Sequence, residues 1–434
     1  MICDITQYGA IPDGKTVCTK SIQKAIDDCA KTGGKIVIPT GCFVSGSLQL
    51  RSNIELHLEQ GARLICSTNS NDQIDFLKNM QDDNKDTGWE GGCFLFAIHE
   101  KNIVISGDGV IDGQGHFYYY NDYSDGGLGE CPLAVKEPRP RMTYLEDIQD
   151  LTIRDVTFED AAFWTLHFAG CKDVLVEHIR IKNNVRCPNN DGIDPDCCQN
   201  VLIHNCDIQS ADDCIVVKST APMARKYGGS SNIVISSCIL HSHCTALKMG
   251  TESWGDIHHI IISDCILRDC NRGFGIYSRD GGMISDILLH HLTGNTRAYS
   301  DCSSGGPGIR TWWGKGNPLF LSATKRAKVT RTPGPIKRIS MDHIYLNCEG
   351  SAVIAGEPYS QISEISIKDS KFNYQRQSNY IPSCIDERPS ERGCYAHEPC
   401  CLYLRSAEQL NISESVFHVD DSMQPIIKNV IAMD

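Results

Sequence analysis

The chain has 434 residues, 41% of them hydrophobic and 22% charged, and carries a formal charge of −13. No apolar run approaches the roughly 20 residues that a membrane helix needs, and the acidic balance argues against nucleic acid or an anionic membrane as partner, since both select clustered Lys and Arg. Length alone suggests two or three domains unless the chain is built of repeats.

The first residues, MICDITQYGA, have neither a basic nor an apolar leader segment, so a cytoplasmic location is expected. Many of the 23 cysteines sit inside apolar runs, such as SSCIL around Cys238 and SDCIL around Cys265, and read as small buried hydrophobes with free thiols. The cluster Cys384, Cys394, Cys400 and Cys401 could hold a disulfide or a metal. Its spacing matches no zinc pattern, so no metal is expected.

Lys20 to Gly34 places Ile22, Ala25, Ile26 and Cys29 at helical spacing and ends on two glycines. From about residue 50 onward, short segments with the alternation of strands recur, each opened by a polar residue: Asn53, Asn102, Asp150, Asp173, Asn200, Asn232, His259, Asp286, Arg338 and Glu364. Between Asp173, Asn200, Asn232, His259 and Asp286 the steps are 27, 32, 27 and 27 by subtraction. A near-constant period of short strands, with no helix between them and no hairpin turns, is the mark of a solenoid. The expected fold is all-β, a single-stranded right-handed parallel β-helix in which the early helix caps the open end. One domain spans residues 1–434: a cap over 1–50, coils over 51–308 and 336–434, and a projecting loop over 309–335 that contains WWGKGNP.

Counting thirteen residues from Asn200, Asn232 and His259 reaches Asp213, Thr245 and Arg272. Equal offsets in successive coils stack about 4.8 Å apart, so these residues should line one strip. The preceding coil reaches the same offset at Arg186 and runs on into CPNNDGIDPD, which brings Asn189 and Asp191 near. Carboxylates crowded at Asp191, Asp212 and Asp213 would split their pKa values, giving the acid and the base that glycoside hydrolysis requires. The same residues also suit solenoid turns, and the geometry alone leaves both readings open.

NNDGIDPD is similar to the NTDGID segment of glycoside hydrolase family 28, the polygalacturonase group; SADDCIVVKS is similar to its GDDCIAIKS segment, and HCTALKMGTES to its GHGxSIGS segment. DITQYGAIPDGKT, GGKIVIPTG, GDGVIDGQG, FWTLHFAG and AGEPYSQISEISIKD resemble flanking segments of bacterial members, so the resemblance covers nearly the whole chain. It implies inverting hydrolysis of pectin-type chains without cofactor, with Asp212 as general acid, Asp191 and Asp213 holding the attacking water, and Asn189 orienting them.

Departures weaken the substrate assignment. Thr245 stands where the family has its histidine, with His243 two residues earlier, and the family's carboxylate-gripping Arg-x-Lys pair falls on Gly275 and Tyr277. Arg272 and Arg279 are candidate replacements, since a guanidinium fork suits a carboxylate. Trp312 and Trp313 are candidates for stacking on a sugar, and Lys248, Glu252 and Arg310 for the same cleft. The expected partner is an oligosaccharide or polysaccharide, cut endo or exo at galacturonic acid, rhamnose or another pectic sugar. The rival readings are pectate-lyase-like β-elimination and a non-catalytic carbohydrate-binding β-helix.

Overall fold

The computed structural model describes residues 1–74, 92–120, 130–300, 311–327 and 331–434. The chain winds as a parallel β-helix. One face is a 12-stranded parallel sheet running from Leu48–Gln49 to Asn429–Met433. Two further ladders of parallel strands make the remaining walls and fuse where the long strands Ile257–Cys270, Ile284–Thr296 and Ile336–Cys348 serve both.

The period read from the sequence is the coil itself. Lys172, Gln199, Ser231, His258 and Ser285 are successive register partners, each one residue before a polar opener. All ten openers have positive φ, from 51° at Asn102 to 63° at Asp150. Asn and Asp tolerate this left-handed conformation best, and at a solenoid corner their side chains also pair between coils. Asn102 donates to Asn53 at 2.8 Å, Asn200 to Asp173 at 2.8 Å and Asn232 to Asn200 at 3.1 Å. Lower down, Arg338 forks onto Asp286 at 2.6 and 2.8 Å.

Behind each corner the alternating apolar residues face inward. Val174, Val201, Ile233, Ile260 and Ile287 stack in one buried column, and Val176, Ile203, Ile235, Ile262 and Leu289 in the next. Each such side chain contributes about 1.5–3 kcal/mol of burial. Cysteines share this interior: Cys206, Cys238 and Cys265 are buried free thiols at equivalent coil positions. Of the C-terminal cysteine cluster, Cys384 is disulfide-bonded and the other three are free, with the Cys394 sulfur 3.4 Å from that of Cys384.

Two boundaries differ from the sequence reading. Helix α1 (Thr19–Ala30) does bury Ile22, Ala25, Ile26 and Cys29 as the cap requires, but the coils begin within the first fifty residues. Ile2–Asp4 pairs with Gly34–Ile38, which pairs with Ile54–Leu58. The stretch 309–335 is not wholly a loop either. Asn317–Ala323 is a strand of the 12-stranded sheet, registered between Arg272–Ser278 and Ala352–Ala355, with Leu319 and Leu321 in the core. It lacks a polar opener and lies in a coil lengthened to 52 residues between Asp286 and Arg338 by subtraction, so the period misses it.

The longer step from Asn200 to Asn232 contains helix α2 (Ala221–Tyr227), whose Met223 covers Cys93, Phe96, Tyr144, Ala169 and Cys197 on the outer face of the 12-stranded sheet. At the other end a hairpin of Cys384–Asp386 and Cys394–Ala396 lays Ile385 and Tyr395 over Tyr277, Phe320, Val353 and Tyr403. Between these two covers the sheet is lined by charged side chains.

Candidate active site

Three turns from successive coils meet between the covers. Ile193 pairs with Ile215 and Ile215 with Leu247, which sets Asp191, Asp213 and Thr245 at equivalent positions, and Thr245 pairs with Arg272. The strip inferred from the thirteen-residue offset is therefore real, with one correction: Asp191, not Arg186, represents the first coil. The turn there carries five more residues (191 − 173 = 18 against 13). Arg186 instead donates to the Cys131 carbonyl at 2.8 Å.

The turns are joined by backbone and amide contacts. Gly192 N–H donates to the Asp213 carbonyl at 2.9 Å. A Cβ on Gly192 would stand 2.4 Å from the Cys214 carbonyl oxygen, so only glycine permits this approach. Asn189, itself at φ 61°, donates its backbone N–H to Asp212 Oδ2 at 3.1 Å and accepts Arg139 on its side-chain oxygen at 3.0 Å. Asn190 and Asn183, both overlooked in the sequence, hold the frame. Asn190 Oδ1 accepts the Ala211 N–H at 2.8 Å while its amide donates to the Asn184 carbonyl at 2.8 Å. Asn183 donates to Thr165 Oγ1 and to the Asn190 carbonyl, each at 2.8 Å. The doubled pairs NN at 183–184 and 189–190 were the signal available for them.

Asp191 and Asp213 are buried, and Asp212 is half-buried. Lys248 Nζ donates to Asp213 Oδ2 at 2.6 Å. Lys218 Nζ lies 3.2 Å from Asp191 and 3.0 Å from the buried Asp194, and 3.8 Å over the Trp164 ring. Burial pushes the Asp212 carboxyl up, and the neighbouring Asp213 adds to it. Burial likewise raises Asp191 well above the carboxylate range against the pull of Lys218, and brings Asp194 to about 6. Burial opposes the charge on Lys218, but Asp194 and Asp191 outweigh it and raise the ammonium. Among the described residues, one trio of donor atoms lies close enough to share a cation: Asp212, Asp213 and Cys244, all within 4.8 Å.

The other sequence candidates divide. Lys248 is in the site, and Glu252 lies beside it, where burial is overcome by Arg326, 3.1 Å away, which holds the carboxyl down to about 2. Thr245 is buried on the strip. His243 is turned into an aromatic box, stacked on Tyr299 at 3.7 Å with Trp312 edge-on at 5.8 Å, and burial drives its pKa down to about 3.

The two arginines proposed to grip a substrate carboxylate are wholly buried and already engaged. Arg272 donates to Asn317 Oδ1, Tyr277 Oη, and the carbonyls of Trp313 and Asp386, with its guanidinium 3.8 Å over Phe320. Arg279 donates to the carbonyls of Ser278, Ser322, Glu387 and Pro389. Tyr277 is buried, stacked on Phe320. All three are corrected from substrate contacts to internal supports, because Asn317–Ala323 and the C-terminal hairpin cover them. Trp312 is corrected too: it is buried, and its indole N–H donates to the Glu130 carbonyl at 2.6 Å. Trp313 remains partly accessible, 5.9 Å from the Arg388 guanidinium. Arg310 lies outside the described residues.

The chain is 28% identical over 318 residues to a probable polygalacturonase of Vitis vinifera, covering 70% of this chain and 63% of the relative. It is 29% identical over 307 residues to the exo-poly-alpha-D-galacturonosidase of Dickeya chrysanthemi, covering 61% and 50%. The chain thus spans about half to two thirds of the length of these relatives. The family 28 exopolygalacturonase structure of Yersinia enterocolitica superposes with a TM-score of 0.70 at 18% identity, covering 97% of this chain and 78% of that one, a likeness of fold. The family model described as "Glycosyl hydrolases family 28" matches residues 30–291, well over half of the chain, and the chain belongs to that family.

Proposed function

We propose that the protein is an inverting glycoside hydrolase that trims pectic oligosaccharides from one end. The observation that carries this reading is the meeting of Asp191, Asp212 and Asp213 from successive turns, with two lysines paired to them.

Asp212, half-buried and with its pKa raised, acts as the acid: its O–H proton passes to the glycosidic oxygen as the C–O bond breaks. A water held by Asp191 and Asp213 attacks the anomeric carbon from the opposite side, and one of those carboxylates takes the proton the water loses. The products are two sugars, with the new anomeric centre inverted. Exo action is supported by the hairpin of Cys384–Asp386 and Cys394–Ala396, which packs over the sheet on the C-terminal side of the carboxylates.

For the sugar itself, five cations of the described residues are already engaged: Lys218, Lys248 and Arg326 with acids, Arg272 and Arg279 with carbonyls. This favours a bond flanked on at least one side by a neutral sugar such as rhamnose. The many free thiols fit a reducing compartment.

The test is a panel of galacturonan and rhamnogalacturonan oligosaccharides followed by proton NMR. Release of terminal sugar with inverted configuration, abolished in Asp212→Asn, is the expected result. An unsaturated product would instead favour elimination, and undiminished turnover in Asp212→Asn would sink the assignment of the acid.

A further inference from the structure

The site holds more acid than the three aspartates require. Asp194 brings the carboxyls of the site to four, three of them buried, and two ammonium groups, Lys218 and Lys248, reach into the same space. Lys248 points its Nζ at Asp213 at 2.6 Å, and Lys218 is shared between Asp191 at 3.2 Å and Asp194 at 3.0 Å. Neither lysine hydrogen-bonds Asp212, whose Oδ1 and Oδ2 take the N–H groups of Asp213 and Asn189 at 3.1 Å each. The lysines thus pair with three of the four carboxyls, and Asp212 is the one left without an ammonium partner.

We infer that Lys218 and Lys248 are positioning residues which pair with Asp191 and Asp213 and leave Asp212, which neither of them hydrogen-bonds, as the acid that delivers the proton. The inference rests on the hydrolase reading for its kinetic test, but the ion pairs can be tested without it.

Other ionisable groups stand nearby: Arg141 lies 5.1 Å over the Trp164 ring that Lys218 also faces, and burial drives the pKa of His167, which faces Lys218, down. Around Lys248, besides Asp212 and Asp213, stand the Cys244 thiol and the Tyr277 phenol, both pushed up by burial and therefore neutral. Around Lys218, besides Asp191, Asp194 and Asp213, stands Glu252, which Arg326 holds at 3.1 Å; that arginine is also forked onto Asp280 at 2.6 and 2.9 Å. The Trp164 face 3.8 Å from the ammonium excludes water on one side while favouring the cation. Register explains the arrangement. Lys248 lies opposite Gly275 on the next strand, where the absent side chain leaves room for the Tyr277 ring to fold over, with its Cε2 only 2.7 Å from where a Cβ would be.

The experiment is the pH profile of kcat/KM for Lys248→Met and Lys218→Met against the parent enzyme. A lysine lowers the pKa of its carboxylate, so without it the water-holding aspartate becomes an anion only at higher pH. The acidic limb should move up by about one unit or more, with kcat down about 10- to 100-fold and KM changed by less than about threefold. Lower kcat with both limbs in place would mean that the lysines only fill space, and would overturn the inference.

Stability gives a readout independent of turnover. In Asp213→Asn the Lys248→Met change should lower the Tm much less than it does in the parent, because the pair is already broken. Equal losses in both backgrounds, or failure of the double variant to fold when Asp213→Asn alone folds, would also overturn it. If no pectic oligosaccharide is hydrolysed, the functional reading falls while this stability cycle still judges the ion pairs.

Discussion

Asn190 and Ala211 join two coils across the site: the Asn190 side-chain oxygen accepts the Ala211 N–H at 2.8 Å, and Asp212 N–H lies 3.4 Å from the same oxygen. Both partners are wholly buried, so the Ala211 N–H depends on this amide, while Ser210 and Ser242 donate to the Asp212 carbonyl at 2.7 and 2.6 Å. Asn190→Ala should cost about 1–3 kcal/mol, the penalty for orphaning buried groups, and lower kcat more than it changes KM. Urea unfolding and steady-state kinetics check it together. Full activity despite lost stability would show that the turn keeps its shape without the amide.

The two adjacent tryptophans should separate cleanly. Trp312 is packed with Ala211, Tyr299 and His243 and donates its indole N–H, so Trp312→Ala should cost about 3–5 kcal/mol. Trp313 is partly accessible and contributes mainly its carbonyl, to Arg272. Trp313→Ala should therefore leave the Tm within a few degrees while raising KM about three- to tenfold, as loss of a stacking platform does. An unchanged KM would remove Trp313 from the substrate path.

The legible features are those written in local chemistry. Ten polar openers revealed the coil because each occupies a left-handed corner that Asn and Asp accept; Asp213 was visible because it follows its corner at the offset shared with Thr245 and Arg272, and Asp191 because the run CPNNDGIDPD follows in the coil before. What stayed hidden depends on chain that arrives later. Arg272 looked like a substrate ligand until Asn317, Trp313 and Asp386 supplied its acceptors from 41 to 114 residues onward. Lys248 was legible only as a residue near the cleft and Lys218 was passed over, since their partners are carboxylates 35 and 27 residues earlier in neighbouring coils. Asn190 was overshadowed by Asn189, because sequence cannot say which of two adjacent amides points inward.

Arg272 makes a sharp test of that correction. Its guanidinium spreads donors over Asn317, Tyr277, Trp313 and Asp386, a fork that a lysine cannot reproduce. Arg272→Lys should destabilise by about 2–4 kcal/mol, since buried carbonyls lose their donors. Its effect on KM should be the same for acidic and neutral substrates. A selective loss of affinity for galacturonate termini would return Arg272 to the binding surface.

Asp194 predicts how stability itself depends on pH. Burial raises its pKa to about 6, above the usual range of an aspartate, even though Lys218 pulls it down. A carboxyl whose folded pKa is raised binds its proton more tightly in the native state, so its contribution is present below the unfolded pKa and is lost as pH climbs through the folded one. Unfolding free energy should therefore decline between about pH 4 and 6 by on the order of 2 kcal/mol from this group. Asp194→Asn keeps the shape without the titration, and should flatten that decline when urea midpoints are compared across the window. A decline of the same size in the variant would place the titrating group elsewhere, with Asp191 and Asp212, both also raised, the next to replace.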